Sequence, residues 1–254
     1  MPGNTIAVHP NNIDKITFTE EGHTYIDNSN RKYTSVTSLI HKAFHQFDSN
    51  GIAEKKAKQL GISKEEILLE WENKGLVGRT NGTRLHEFAE NYILNKTELY
   101  QTTDINEKIR FNSAINIINK LNELFTPTLS EPEKLVFSPA FKLAGSIDWL
   151  MKINDNNYII LDWKILSKEL AKEGFNKQTG IILPTLNIQD SNYWHYGLQL
   201  QIYELLLKAE NYIKETAKVS RYLIVWKEDK FVLEKMPNLY QEAWALIAWN
   251  NKVI

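Results

Sequence analysis

The sequence predicts an α/β fold with an N-terminal β-meander and a helical arm, and three observations predict it. Residues 143–153 and 158–165 are apolar, strand-like runs joined by the polar turn Asn154, Asp155, Asn156, Asn157, the pattern of a hairpin. Residues 15–34 alternate polar and apolar side chains around turn residues, as a small antiparallel meander does. Between and after these strand signals lie stretches with an apolar stripe at helical spacing, 107–125 among them.

In chain order, the meander is expected to cap one edge of the core. Residues 35–44 begin a helix behind a Ser/Thr cap, and 52–60 and 63–74 are two more, the latter opened by the capping box of Ser63 and Glu66. Lys55, Lys56, Lys58, Lys64 and Lys74 make this arm basic in places, which reads as a solvated face. A separate helix follows the Gly/Asn-rich segment 78–82, with Thr83 as its cap and Leu85, Phe88, Ala89, Tyr92 and Ile93 on one stripe. His86 and Glu90 share a face of it. They do not form the zinc pattern HExxH, because the fifth position is Glu90, and His86 taken alone reads as a structural or surface histidine.

Beyond Pro127, residues 133–138 read as a strand leading into the hairpin. Residues 166–194 show little periodicity, and a structureless stretch of that length inside a compact domain is functional or disordered. An apolar helix then carries Gln199 and Tyr203 one turn apart, followed by strands at 219–227 and 230–235 and a helix at 239–249. With no repeat, low-complexity tract or linker, residues 1–254 parse as one domain: meander 1–34, helical arm 35–78, core 79–254.

Composition narrows the function classes. Hydrophobic residues at 43% and charged residues at 24% describe a soluble globular protein. A formal net charge of −1 argues against a protein that coats DNA, although an enzyme can confine positive charge to a groove. Without cysteine there is no disulfide, thiolate zinc site, iron–sulfur cluster or cysteine nucleophile. The N-terminus lacks a signal-peptide pattern and no run approaches the ~18 apolar residues of a membrane span, so a cytoplasmic location with no membrane partner is expected.

The hairpin carries the chemistry. Asp148 and Asp162 stand where apolar residues belong, and Lys164 follows Asp162 on the same strand face. Charges in apolar strands are costly unless paired or metal-bound. Together with His86 and either Glu133 or Glu90, the aspartates make a mostly oxygen donor set with one nitrogen, which suits Mg²⁺ or Mn²⁺. Lys164 beside such an ion would orient an attacking water or stabilise charge building on phosphorus. Trp149 and Trp163, next to the aspartates, are expected to point to the opposite sheet face as core.

The ordered set Gly82-Thr83-x-x-His86, Glu133, Gly145-x-x-Asp148, Asp162-x-Lys164 and Gln199-x-x-x-Tyr203 resembles the PD-(D/E)xK nuclease superfamily. Its closest resemblance is to the RecB-type exonuclease branch, which includes phage nucleases and the mitochondrial genome-maintenance exonuclease. The segments 33–39 and 194–203 are also similar to that branch, so the likeness runs over about residues 33–207. It implies a restriction-endonuclease-like core, a central mixed β-sheet flanked by helices. It also implies that His86, Asp148, Asp162 and the backbone carbonyl of Trp163 hold one or two Mg²⁺ or Mn²⁺ ions. Lys164 is then the catalytic lysine, with Asp162, Asp148 and Glu133 in the catalytic set, although Glu131 lies close to Glu133. Gln199 and Tyr203 would brace the site or contact the DNA end. The iron–sulfur relatives of the branch use four cysteines, and this chain has none.

The expected function is therefore a Mg²⁺/Mn²⁺-dependent deoxyribonuclease, an exonuclease on single-stranded or frayed DNA ends in phage or mobile-element replication and recombination, with replication or recombination proteins as further partners. Residues 166–194 would arch over the site, Lys168 and Lys172 tracking phosphates, and Arg84 is a further expected nucleic-acid contact. Two other readings share the motifs: a structure-dependent endonuclease on the same fold, and a catalytically silent nucleic-acid-binding recombination partner. A bland reading pairs Asp148 and Asp162 with Lys164 and Arg84 as a buried ion cluster.

Overall fold

The structure is a computed structural model that describes residues 4–96, 101–166 and 168–253. Its N-terminal meander is β1 (Asn4–Val8), β2 (Lys15–Thr19), β3 (Thr24–Asp27) and β4 (Lys32–Ser35), three strands where expected plus β1. β1 was not expected, and it forms by pairing with β2 from Asn4↔Thr19 to Val8↔Lys15. The helices α1 (Val36–Ala43), α2 (Ser49–Leu60), α3 (Lys64–Ile93) and α4 (Ile105–Phe125) follow. After them come β5 (Leu129–Ser138), β6 (Leu143–Asn154), β7 (Asn157–Lys164), α5 (Asn192–Ala209), β8 (Lys218–Lys227), β9 (Lys230–Lys235) and α6 (Tyr240–Val253).

The architecture is a mixed nine-stranded sheet flanked by helices, as the sequence predicts. Its hub is β6. One edge of β6 is taken by β5, antiparallel from Leu129↔Lys152 to Ser138↔Leu143. The opposite edge is divided. There β7 pairs antiparallel with residues 149–154, and β4 pairs parallel with Leu143 and Ala144 alone. Between them, residues 145–148 have no strand partner on that side. β8 continues the sheet parallel to β7, and β9 closes it antiparallel.

Side chains alternate across the strands and fill two cores. On one face Ile160, Leu223 and Val225 meet α1, α5 and α6 through Leu39, Leu198, Leu206 and Leu246. On the other, Ile159, Leu161, Trp163 and Ile224 meet α3 and α4 through Leu85, Phe88, Phe111 and Ile118. Trp149 and Trp163 are buried in this second core, as expected for residues flanking the aspartates. A third cluster sets Ile16, Tyr25 and Tyr33 of the meander on Leu135, Phe137 and Ala144, so the meander is welded to β5 and β6.

Three expectations are corrected. The helices foreseen at 63–74 and after Thr83 are one helix, α3, with Gly75, Gly78 and Gly82 inside it and Thr83 in mid-helix. The Ser63–Glu66 capping box starts it as expected, and no proline ends it. Each interior glycine costs only ~1 kcal/mol relative to alanine, too little to break a ladder already nucleated. Second, α1 packs in the main core and not with the arm, which leaves α2 and the first half of α3 as the arm, joined by Ala53, Ala57 and Ile67. Third, the segment after β7 is neither structureless nor unpacked. It makes two 3-10 turns, Phe175–Lys177 and Leu183–Thr185, and is clipped to the end of α1. The Ile181 N–H (2.9 Å) and Thr185 Oγ1 (3.0 Å) both donate to the Ala43 carbonyl. Gly180 lies so close to Thr185 that a Cβ there would sit 2.1 Å from Oγ1. Among the described residues, no helix is long and apolar enough to cross a membrane.

This layering predicts where truncation hurts. Ile118 on α4 is 1% exposed, whereas Leu76 in the arm is 55% exposed. Ile118→Ala is expected to lower stability by about 2–5 kcal/mol and Leu76→Ala by no more than about 0.5 kcal/mol, both measured by urea unfolding. Equal losses would contradict the layer assignment.

Candidate functional site

The site lies where β6 loses its strand partner. The antiparallel ladder between β6 and β7 runs to Trp149↔Leu161. One step further, the Trp163 N–H donates to the Asp148 carboxylate at 2.8 Å instead of to a strand carbonyl. A side chain thus completes what the ladder leaves open, which is how a carboxylate is tolerated inside an apolar strand. Because N–H and C=O of one strand residue point to the same edge, the Trp163 carbonyl faces this gap as well.

Two further donors converge on Asp148. His86 arrives from α3, its Nδ1 3.5 Å from Asp148 Oδ2 and 3.3 Å from Glu133 Oε1. Glu133 comes from β5 and is also gripped by Ser146, whose Oγ donates to Oε2 at 2.9 Å. Ligand atoms of His86, Glu133 and Asp148 lie within 4.8 Å of one another. Asp162 and Lys164 lie on the neighbouring strand as an ion pair. Asp162 is buried, and its Oδ2 is the oxygen that meets the Lys164 ammonium. Lys164 Nζ also stands 4.9 Å from the centre of the Tyr196 ring, within cation–π range.

Burial and charge act together here. Burial opposes the charged imidazolium, yet the Asp148 carboxylate and the hydrogen bond to Glu133 outweigh it and lift His86 to about 9. Burial raises the Asp148 carboxyl, against the pull of His86 and Lys164. The same burial, with the charge of Asp148, pushes Asp162 up to about 6 while Lys164 resists. Burial also disfavours the Lys164 ammonium, but Asp162 and Asp148 hold it above the ordinary lysine value.

The donor set fits a hard dication. It offers carboxylate oxygens and one imidazole nitrogen, the donor types that suit such an ion. As found, His86, Glu133 and Asp148 make the cluster, and Asp162 is turned to Lys164.

The other expected site residues divide. Gln199 Nε2 donates to Tyr203 Oη at 3.2 Å. Tyr203 is 3% exposed and packs against Gly145, where a Cβ would sit 2.6 Å from Cε1. It braces β6 from α5 and has no surface to offer nucleic acid. Arg84 pairs with buried Glu107 of α4 at 2.9 Å. Lys172 pairs with Glu234 at 3.1 Å and lies over Tyr193, while Lys168 is exposed. Glu90, the rival of Glu133, lies 3.7 Å from Lys96, and Glu131 pairs with Lys134. Two residues stand at the site that were not expected there: Ser146, and Tyr196, whose sequence position reads as core or loop. Tyr196 was legible: with Gln199 and Tyr203 it occupies positions i, i+3 and i+7, one face of a helix. Ser146 gave no local signal, since its role depends on a neighbouring strand.

The raised His86 value sets a direction for stability. Its folded value of about 9 lies above the ordinary 6.5, so its contribution is full below about pH 6.5 and is lost as pH rises through 9. In EDTA, unfolding free energy is expected to fall across that window in the wild type and to stay flatter in His86→Gln, by urea denaturation at several pH values. An unchanged slope in the variant would assign it to another group.

No family model matches this chain, and no curated protein does. Among solved structures it is similar to a crystal structure from Eubacterium rectale provisionally named an exonuclease, at 14% identity, 68% of this chain, 65% of that chain and a TM-score of 0.42. It is also similar to the crystal structure of SSO0001, at 13% identity, 85% of this chain, 75% of that chain and a TM-score of 0.32. The chain therefore spans just under two thirds of the Eubacterium rectale protein. Likenesses this distant assign no activity.

Proposed function

We propose that this protein is a Mg²⁺- or Mn²⁺-dependent deoxyribonuclease of the RecB-type PD-(D/E)xK kind, acting as an exonuclease on single-stranded or frayed DNA ends. The observation that carries the reading is the convergence of His86, Glu133 and Asp148 beside the Asp162–Lys164 pair at the unpaired edge of β6. These residues come from α3, β5, β6 and β7, and a buried ion cluster serving stability alone has little reason to set three carboxylates against one imidazole and one ammonium at the open edge of a strand.

His86, Glu133, Asp148 and Asp162 would hold the ion, with the Trp163 carbonyl facing the same gap. When bound, such an ion supplies Lewis-acid polarisation of a phosphoryl oxygen and a nucleophile at neutral pH. His86 must shed its proton to become a ligand, so binding is coupled to proton release. Lys164, kept charged by Asp162, is the fixed positive group that would meet the charge developing on the scissile phosphate. Tyr196 limits where its ammonium can swing. The substrate is a DNA strand with a free end, and replication or recombination proteins from a phage or mobile element are the fitting partners.

Asp162→Asn and Lys164→Ala are each expected to cut cleavage of labelled linear DNA about 100-fold or more, with circular dichroism unchanged, and EDTA should abolish wild-type activity. Circular single strands should survive when linear ones are degraded. Cleavage of the circle would make the protein an endonuclease, and a fully active Lys164→Ala would sink the site assignment.

A further inference from the structure

We infer that Ser146 is a positioning residue that sets Glu133 into the metal-holding cluster. The inference rests on the metal-dependent reading of the site and deepens it.

The first observation is in the backbone. β5 and β6 keep one register along their whole length, with Pro132 opposite Trp149 and Lys134 opposite Ile147. Between these pairs Glu133 and Asp148 face each other without joining the ladder. Glu133 has φ 47°, in the left-handed region that costs a residue with a Cβ on the order of 1–3 kcal/mol. A strand that could lie straight through this position is instead kinked at the residue of β5 whose carboxylate reaches His86.

The second observation is in the side chain. A kink brings Glu133 to the gap but does not hold it there. Its side chain is 35% exposed and His86 is 30% exposed, so water is at hand and several rotamers are open. Ser146 Oγ donates to Oε2 at 2.9 Å, and this leaves Oε1 as the oxygen turned towards His86 Nδ1. The hydroxyl therefore decides which oxygen faces the cluster and which does not. It can do so because Ser146 lies on β6 two residues before Asp148, so one strand carries both a ligand and the anchor of another. Outer groups that orient a ligand in this way are worth about 10–100-fold in metal affinity.

The test uses the full-length protein and Mn²⁺ as probe, by titration calorimetry, with thermal unfolding in EDTA alongside. Ser146→Ala is expected to weaken Mn²⁺ binding about tenfold or more with little change in metal-free melting temperature, and Ser146→Thr to restore it. In a Glu133→Ala background, Ser146→Ala should have no further effect on Mn²⁺ affinity, because the hydroxyl acts only through that carboxylate. Equal Mn²⁺ affinity in wild type and Ser146→Ala would overturn the inference while leaving the metal site standing. Additive losses in the double variant, or a metal-free melting temperature lowered in parallel with affinity, would make Ser146 a structural residue and overturn it too. A wild type that takes up no Mn²⁺ would remove the metal reading itself, and this inference with it.

Discussion

An edge of a β-strand cannot be hydrogen-bonded along its whole length and also open a cleft, and β6 meets that conflict at residues 145–148. Its divided edge, with β7 on one stretch and β4 on the other, creates the gap beside which the candidate site is assembled. The Trp163 amide would be left unpaired by the divergence of β7, and Asp148 takes it. One carboxylate thus closes the backbone and faces the site. The meander is no appendage in this light: β4 forms the far side of the gap, and its Tyr33 packs with Tyr25 of β3 on β5 and β6.

Concentrating charge in such a place is costly, and the surrounding structure offsets it by pairing. Three carboxylates are faced by two cations, the His86 imidazolium and the Lys164 ammonium, both held protonated by their acidic neighbours. Each charge here is offset by its neighbours, most closely in the buried Asp162–Lys164 pair. Its geometry depends in turn on α5, which supplies Tyr196 over Lys164 and Tyr203 against Gly145. That helix is pinned at its other end by a second buried network. Glu204 accepts from Gln201 (3.1 Å) and Lys208 (2.6 Å) and pairs with Arg221 of β8, while Gln201 Oε1 accepts the Leu239 N–H ahead of α6. A helix anchored to the sheet at both ends is a rigid support for side chains that must meet within a few ångströms.

Elements decided by local pattern were legible in the sequence, and those decided by distant contacts were not. The hairpin, with its two-residue turn at Asp155 and Asn156, and the capping box at Ser63 were written in short spans. So were the meander and the terminal strands. By contrast, the glycines at 75, 78 and 82 looked like a break but sit inside α3, because the capping box nucleates the helix and the Leu85–Phe88 stripe is held by α4. The segment after β7 lacked periodicity because its order comes from the Ala43 carbonyl, more than a hundred residues away.

By itself the sequence determined which residue types could do chemistry and in what order they come: two aspartates on a hairpin, a lysine two residues on, and a histidine on an earlier helix. It also excluded every thiolate chemistry, since cysteine is absent. Only the tertiary structure decided which carboxylate joins His86. Glu90, Glu131 and Glu133 were close competitors by spacing, yet Glu90 lies near Lys96, Glu131 pairs with Lys134, and Glu133 alone is kinked towards the imidazole and held by Ser146. It likewise assigned Arg84 to Glu107 and Tyr203 to Gly145. The physical reason is one of range: residue type and period are properties of a few neighbouring positions, whereas a ligand set is a coincidence of atoms brought together by strands and helices far apart in the chain.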